Sequence, residues 1–157
     1  MITGLAMAAV AFIGLACNFI SQKSTVIGYD KTTDWSLSKW FEKINDMKDF
    51  DEIKNWQIAR VFLIATAVLL AIMVVLLLVK AFIKHKVLQW TILGFGITVV
   101  ACAVVFMITT FSGCGVLSGG IDAISTGVEY FANVGVYLFS IGAILSAVFA
   151  EAYALRK

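Results

Sequence analysis

Residues 57–112 read QIARVFLIATAVLLAIMVVLLLVKAFIKHKVLQWTILGFGITVVACAVVFMITTFS. Two apolar runs, Ile58 to Val79 and Val87 to Phe111, flank the basic connection Lys80-Ala81-Phe82-Ile83-Lys84-His85-Lys86. Each run exceeds the roughly 20 apolar residues that an α-helix needs to cross a ~30 Å hydrocarbon layer. Within Val61 to Val79 the only polar side chain is Thr66. The stretch reads as a helical hairpin through a bilayer, with the rest of the chain attached to it.

Composition points to the same solvent. The 157 residues are 61% hydrophobic and 14% charged, whereas a soluble domain has about 45–50% apolar and about 25% charged residues. Mean hydropathy is +0.96. The net charge of +2 is small, and no basic cluster is interleaved with aromatics, so nucleic acid is not an expected partner. Proline is absent, so no helix is interrupted by the residue best suited to do so. Three scattered cysteines suit neither a disulfide framework nor a zinc site.

Upstream of the hairpin, Ile2 to Ile20 is apolar apart from Thr3 and Asn18. It lacks the basic start of a secretory leader and is read as a first span. Ser21 to Thr33 is polar, with Gly28 and Asp30 as turn formers, and is expected to be a loop. From Asp34 to Lys48 the apolar residues Leu37, Trp40, Phe41, Ile44 and Met47 fall at helical spacing. Thr33 or Asp34 is the expected cap. This helix is expected to pack over the ends of the spans, to lie in the lipid interface anchored by Trp35, Trp40 and Trp56, or to do both. In both cases Trp35, Leu37, Trp40, Phe41, Ile44, Met47 and Trp56 form the candidate partner surface. Arg60, at the mouth of the second span, is expected to snorkel to headgroups or pair with Asp51 or Glu52.

Downstream, the third span starts near Trp90. Gly94, Thr98 and Cys102 recur every fourth residue and make a stripe of small side chains. Such stripes let helix backbones approach closely, and close packing drives association in lipid. Residues 112–120, SGCGVLSGG, read as a flexible turn. Ile121 to Lys157 reads as one long helix carrying the fourth span. Gly142, Ser146 and Ala150 repeat the small-residue pattern there, with Gly135 one heptad earlier. The second half does not repeat the first, unlike many transporters.

The predicted architecture is an all-α integral membrane protein forming a single membrane domain. Four transmembrane helices, at about 2–20, 57–82, 88–112 and 130–155, make an up-down bundle. A short amphipathic helical segment at about 34–56 lies between helices 1 and 2. Lys80, Lys84, Lys86, Arg156 and Lys157 crowd the helix ends on the side of both termini. Lys23, Lys31, Lys39, Lys43, Lys48, Lys54 and Arg60 are spread through the opposite segment. The positive-inside rule then places the termini in the cytoplasm, in a plasma or cytoplasmic membrane. Cys17 and Cys114 fall near the outer face and are a candidate disulfide in an oxidising compartment.

Catalytic motifs are missing. The single histidine, His85, sits in a lysine-flanked connection. There is no Cys-x-x-Cys, no HExxH and no phosphate-cradling Gly-x-x-x-x-Gly-Lys. No enzyme, cofactor or metal site is expected. Glu151 is the only carboxylate in the fourth apolar run. It is expected at headgroup level beside Arg156 or Lys157, the alternative being a proton or cation site. Asn133 and Ser140 are expected to make interhelical hydrogen bonds, each on the order of 1 kcal/mol.

A first span, a long outer segment, a tight basic hairpin, a short outer turn and a last span together resemble the plan of claudin-type and tetraspanin-type membrane proteins. Arg60 just before the second span is similar in placement to claudins. Residues 21–56 hold three tryptophans but no cysteine, so the claudin outer-segment signature of Trp, Gly-Leu-Trp and two Cys is absent. The tetraspanin Cys-Cys-Gly is absent too. The resemblance is one of topology; it transfers no residue roles and assigns no family.

The expected function is association within the bilayer, as a non-enzymatic structural or accessory subunit or a self-assembling protomer. Its partners would be lipid and either further copies or other membrane subunits. The alternative is a homo-oligomeric channel whose path runs between protomers. Thr98, Thr109, Thr110, Asn133 and Ser140 would be its polar candidates, with Arg60 and Glu151 nearer its ends.

Overall fold

In chain order the elements are α1 (Ile2–Ala16), β1 (Asn18–Val26), β2 (Tyr29–Ser36), α2 (Leu37–Asp46), a 3-10 turn (Asp51–Ile53), α3 (Lys54–Phe82), α4 (Lys86–Ile121), β3 (Gly127–Ala132) and α5 (Val134–Leu155). The computed structural model describes residues 1–26, 29–48, 50–83, 85–121 and 127–155. Gly28, Lys84, Arg156 and Lys157, invoked above from the sequence, lie outside the described residues.

The molecule is mostly helical. Helices α3, α4 and α5 are each long and apolar enough to cross a membrane. Helix α1 is equally apolar but has 15 residues, about 22 Å at the ~1.5 Å rise per residue of an α-helix. The α3–α4 hairpin forms where the sequence predicts it. Ile83 leaves the helical conformation at φ −120°, ψ 112°. The Val87 N–H then donates to His85 Nδ1 at 3.3 Å, so the histidine caps the start of α4.

Several expectations are corrected, the flexible turn at 112–120 among them, since α4 runs through it to Ile121. The chain is not all-α: a three-stranded antiparallel sheet of order β2-β1-β3 sits outside the helical layer. The expected loop at 21–33 is a β-hairpin, with Gln22 opposite Thr33 and Val26 opposite Tyr29. The expected long helix from 121 begins only at Val134, because 127–132 pairs with β1 in the register Ile20–Ala132 to Thr25–Gly127. β1 and β2 are too polar to show apolar alternation. Their Thr and Ser content suits a pleated surface only once strands lie alongside to pair with. In β3, Val128, Tyr130 and Ala132 face inward while Glu129 and Phe131 are exposed, which is the period-2 pattern of a half-buried strand.

The sheet is held on the helix ends by aromatic packing. A shift of register between Asn18 and Ile20 marks a β-bulge. A regular strand sends adjacent side chains to opposite faces, but a bulge relaxes that rule, and Phe19 and Ile20 are both fully buried. The Phe19 ring stacks on Trp40 with centroids 5.9 Å apart and reaches Phe106 of α4 at 6.5 Å. Phe106 meets Phe139 of α5 edge-on at 5.7 Å. One apolar core therefore runs from the sheet into the helices.

The helices pack in the order α1, α5, α4, α3. The α1–α5 contact is the tightest. Gly4, Ala8, Ala11 and Gly14 are the buried residues of α1. A Cβ added to Gly142 would lie 2.7 Å from the Ala11 backbone nitrogen, and one on Gly135 would lie 2.9 Å from the Gly14 carbonyl oxygen. Only glycine permits that approach. The buried Ser146 Oγ donates to the Gly4 carbonyl at 2.8 Å across the same seam.

Candidate functional site

The seven residues expected to form a partner surface are spent inside the fold. Trp35, Trp40, Ile44 and Trp56 are buried, and Leu37, Phe41 and Met47 pack against them. Trp56, in the first turn of α3, lies edge-on to Trp35, Trp40 and Tyr130 at 6.1, 6.1 and 5.5 Å. Its indole rests on Gly113 of α4, where an added Cβ would sit 2.6 Å from Trp56 Nε1. The amphipathic helix α2 therefore packs its apolar face over the helix ends, and the tryptophans expected as lipid anchors are covered by protein. Helical spacing identifies an apolar face but does not say whether protein or lipid covers it. Burial also pushes the Tyr130 phenol above its usual range. The fold holds its neutral form, so that contribution is complete below the unfolded pKa of about 10 and is lost as pH rises through the folded value.

A polar clasp closes the outer layer. Ser21 Oγ donates to Asp34 Oδ1 at 2.6 Å, and Asn133 Nδ2 donates to Ser21 Oγ at 2.7 Å and to Asp34 Oδ1 at 3.2 Å. The Asn133 side-chain oxygen accepts the Val134 N–H at 2.6 Å, where α5 begins. Asn133 is thus a junction residue between sheet and helix and lies outside the apolar helices. Asp34 ties β2 to this junction and does not cap α2, whose N-cap is Ser36. At the hairpin tip, Lys23 pairs with Asp30 at 3.0 Å and Thr25 Oγ1 donates to the same carboxylate at 2.8 Å. Both hold the Asp30 carboxyl below its usual range.

Arg60 has a different partner from the one expected. Its Nη1 donates to Asn45 Oδ1 at 2.6 Å, and the guanidinium lies 5.9 Å from the Phe41 ring centroid. It fixes α2 to α3, while Asp51 pairs with Lys54 at 2.8 Å. Glu151 rests against α4, with its Cγ 2.8 Å from where a Cβ on Gly96 would be. Ser140 is fully buried with no hydrogen-bond partner for its hydroxyl among the described residues. Thr109 and Thr110 donate to carbonyls of their own helix, Val105 and Phe106, at 2.8 Å each. Among the described residues, no three His, Cys, Asp or Glu side chains gather at metal-binding distance.

Cys17, Cys102 and Cys114 are free thiols, so the candidate Cys17–Cys114 disulfide is not formed. The cause is topological. Cys17 caps the end of α1, and Cys114 is buried on α4. α5 packs against both helices, while α1 and α4 have no substantial contact with each other.

Sequence reading missed Lys80. It belongs to the basic connection in the sequence, yet it is 9% exposed. Its Nζ donates to the Tyr153 and Ala154 carbonyls at 3.1 and 2.7 Å and lies 5.0 Å from the Tyr153 ring centroid. A cation there satisfies carbonyls that the last turn of α5 leaves unpaired and complements the negative end of its dipole. Lys80→Met keeps the apolar stem and removes the donor. We expect it to cost about 1.5–3 kcal/mol, the range for hydrogen bonds to a charged group. Thermal unfolding in detergent should fall by roughly 5 °C; an unchanged midpoint would show that the cap carries no weight.

The two predicted small-residue stripes have opposite fates. Gly135, Gly142, Ser146 and Ala150 are buried, with Gly135, Gly142 and Ser146 in the α1–α5 seam. Gly94 and Thr98 are exposed, Cys102 is half-buried, and an added Cβ on Gly94 would meet nothing within 4 Å. The inward face of α4 is instead Ile92, Gly96, Val99, Ala103, Phe106, Thr110 and Gly113. The outward stripe borders an open groove of about 420 Å³ between α3 and α4. No family model, curated protein or solved structure matches this chain.

Proposed function

We propose that this is a small membrane protein working by lateral association of its helices, as a structural or accessory subunit or as a self-assembling protomer. In this reading α1 is the fourth crossing and the sheet layer is outside. The α3–α4 connection and both termini face the cytoplasm. The supporting observation is the apolar surface that the fold leaves uncovered. Only 28% of the most apolar stretch of α3, and the same share of α4, is buried, against 50% for α5. On α4 this uncovered face carries small residues, Ala101 and Cys102, at mid-span. Small side chains there let a second helix approach closely. No observation favours the channel alternative: Asn133 lies outside the spans, and the threonine hydroxyls bond back to their own helices.

Cysteine crosslinking tests the association. In a Cys17→Ser, Cys114→Ser background, Cys102 is the sole thiol. Mild oxidation of native membranes should give covalent dimers through Cys102, and gently solubilised protein should run above monomer mass. Monomers alone in both assays, with no co-purifying chain, would reject the proposal.

A further inference from the structure

The groove is built to be apolar at membrane depth. It is lined by Leu69, Trp90, Thr91, Gly94, Phe95 and Thr98. Thr91 Oγ1 donates to the Val87 carbonyl at 3.0 Å and Thr98 Oγ1 to the Gly94 carbonyl at 2.8 Å. Both hydroxyl groups are thereby satisfied within the helix and make no demand on an occupant. Gly94 leaves the floor open, and Trp90, 74% exposed, stands at the rim. A volume of about 420 Å³ is within the ~300–1,000 Å³ range of small-molecule sites.

The end of the groove is cationic. Lys86, Trp90, Gly94 and Thr98 are spaced by four and share one helix face. Lys86 is exposed, and among the described residues it makes no salt bridge. Between residues 80 and 98 the sequence has no Asp or Glu. Lys80 is already committed to the end of α5. The groove therefore joins an apolar trough to an uncompensated cation one turn beyond its rim, a pattern complementary to an anionic amphiphile.

We propose that the α3–α4 groove holds an anionic phospholipid, with an acyl chain along Leu69, Gly94, Phe95 and Thr98, the glycerol region beside Trp90, and the phosphate at Lys86. This rests on the membrane reading above, and it places the lipid at the cytoplasmic half of α4, ending about one helical turn short of Cys102.

The test uses the full chain in mild detergent, offered phosphatidylglycerol or phosphatidylcholine of matched acyl chains, with bound lipid counted by native mass spectrometry. The expected result is one retained phosphatidylglycerol per chain, in preference to phosphatidylcholine. Lys86→Gln should cut that preference about fivefold, the effect of one lysine near an anionic surface, without abolishing phosphatidylcholine retention. Gly94→Leu, placed where the structure has open space, should fill the trough and reduce retention of both lipids with the unfolding midpoint unchanged. Equal retention of the two lipids by the unmodified protein would overturn the proposal. So would phosphatidylglycerol binding unaffected by either substitution, or a Gly94→Leu effect on oligomer mass alone, which would assign the groove to a second copy. Failure of the membrane reading itself would look different, as a chain soluble and folded without detergent.

Discussion

Replacing Trp56 with alanine is expected to release the sheet and α2 from the ends of the helices. The side chain is fully buried and contacts Trp35, Trp40 and Tyr130, each from a different element, while resting on Gly113 of α4. Truncating a buried tryptophan costs about 3–5 kcal/mol, and the loss is greatest where neighbours are too rigid to collapse into the space. Collapse is restricted here because three of the neighbours are themselves large rings held by different backbone segments. The helices α3, α4 and α5 do not depend on this cluster for their hydrogen bonds. Limited proteolysis of Trp56→Ala should therefore cut within 18–53 while the helical circular dichroism persists, and the remaining tryptophan emission should shift to the red. Trp56→Phe should retain part of the packing and show an intermediate effect. Wild-type protease resistance in Trp56→Ala would mean that the sheet is held by the polar clasp and strand pairing instead.

The second large effect is expected at Gly142. A Cβ there would lie 2.7 Å from the Ala11 nitrogen and 2.9 Å from its Cα, and both are backbone atoms that cannot rotate away. Leucine at this position has to push α1 off α5. Overpacking usually costs about 1–3 kcal/mol when side chains can adjust, and a backbone collision should reach or exceed the top of that range. The Ser146–Gly4 hydrogen bond would be lost with the seam. Maleimide labelling of Cys17, at the end of α1, should accelerate, and the unfolding midpoint should drop. Gly94→Leu is the matched control: the same substitution in the other stripe meets open space and should leave the midpoint unchanged. Equal effects at the two sites would mean that the stripes are not divided between interior and exterior as described.

The sites differ in how far the sequence revealed them. Small residues at four-residue spacing marked a candidate contact face on both α4 and α5. The spacing did not say that α5 meets α1 while α4 faces outward, because both patterns are compatible with either environment. A companion signal was available in Gly4, Ala8, Ala11 and Gly14, which share one face of α1 at helical spacing. The tryptophans announced an amphipathic segment but not its cover. Asn133 looked like a polar group within a span because β3 was read as the beginning of its helix. The Val-Glu-Tyr-Phe composition of β3 was a strand signal, masked by the apolar run that follows it.

By itself the sequence determined the strongly apolar character of the helices, the break between two long helices at residues 83–85, and the small-residue faces along α4 and α5. These follow from local quantities: the length of an apolar run, the charges that end it, and the size of the side chains along one face. Only the tertiary structure decided that β1 pairs with β3 far along the chain, from Ile20–Ala132 to Thr25–Gly127, and that Lys80 belongs to the end of α5. It also decided which small-residue stripe is buried. Those outcomes depend on what lies opposite each residue, and a periodic pattern records a face without recording its neighbour.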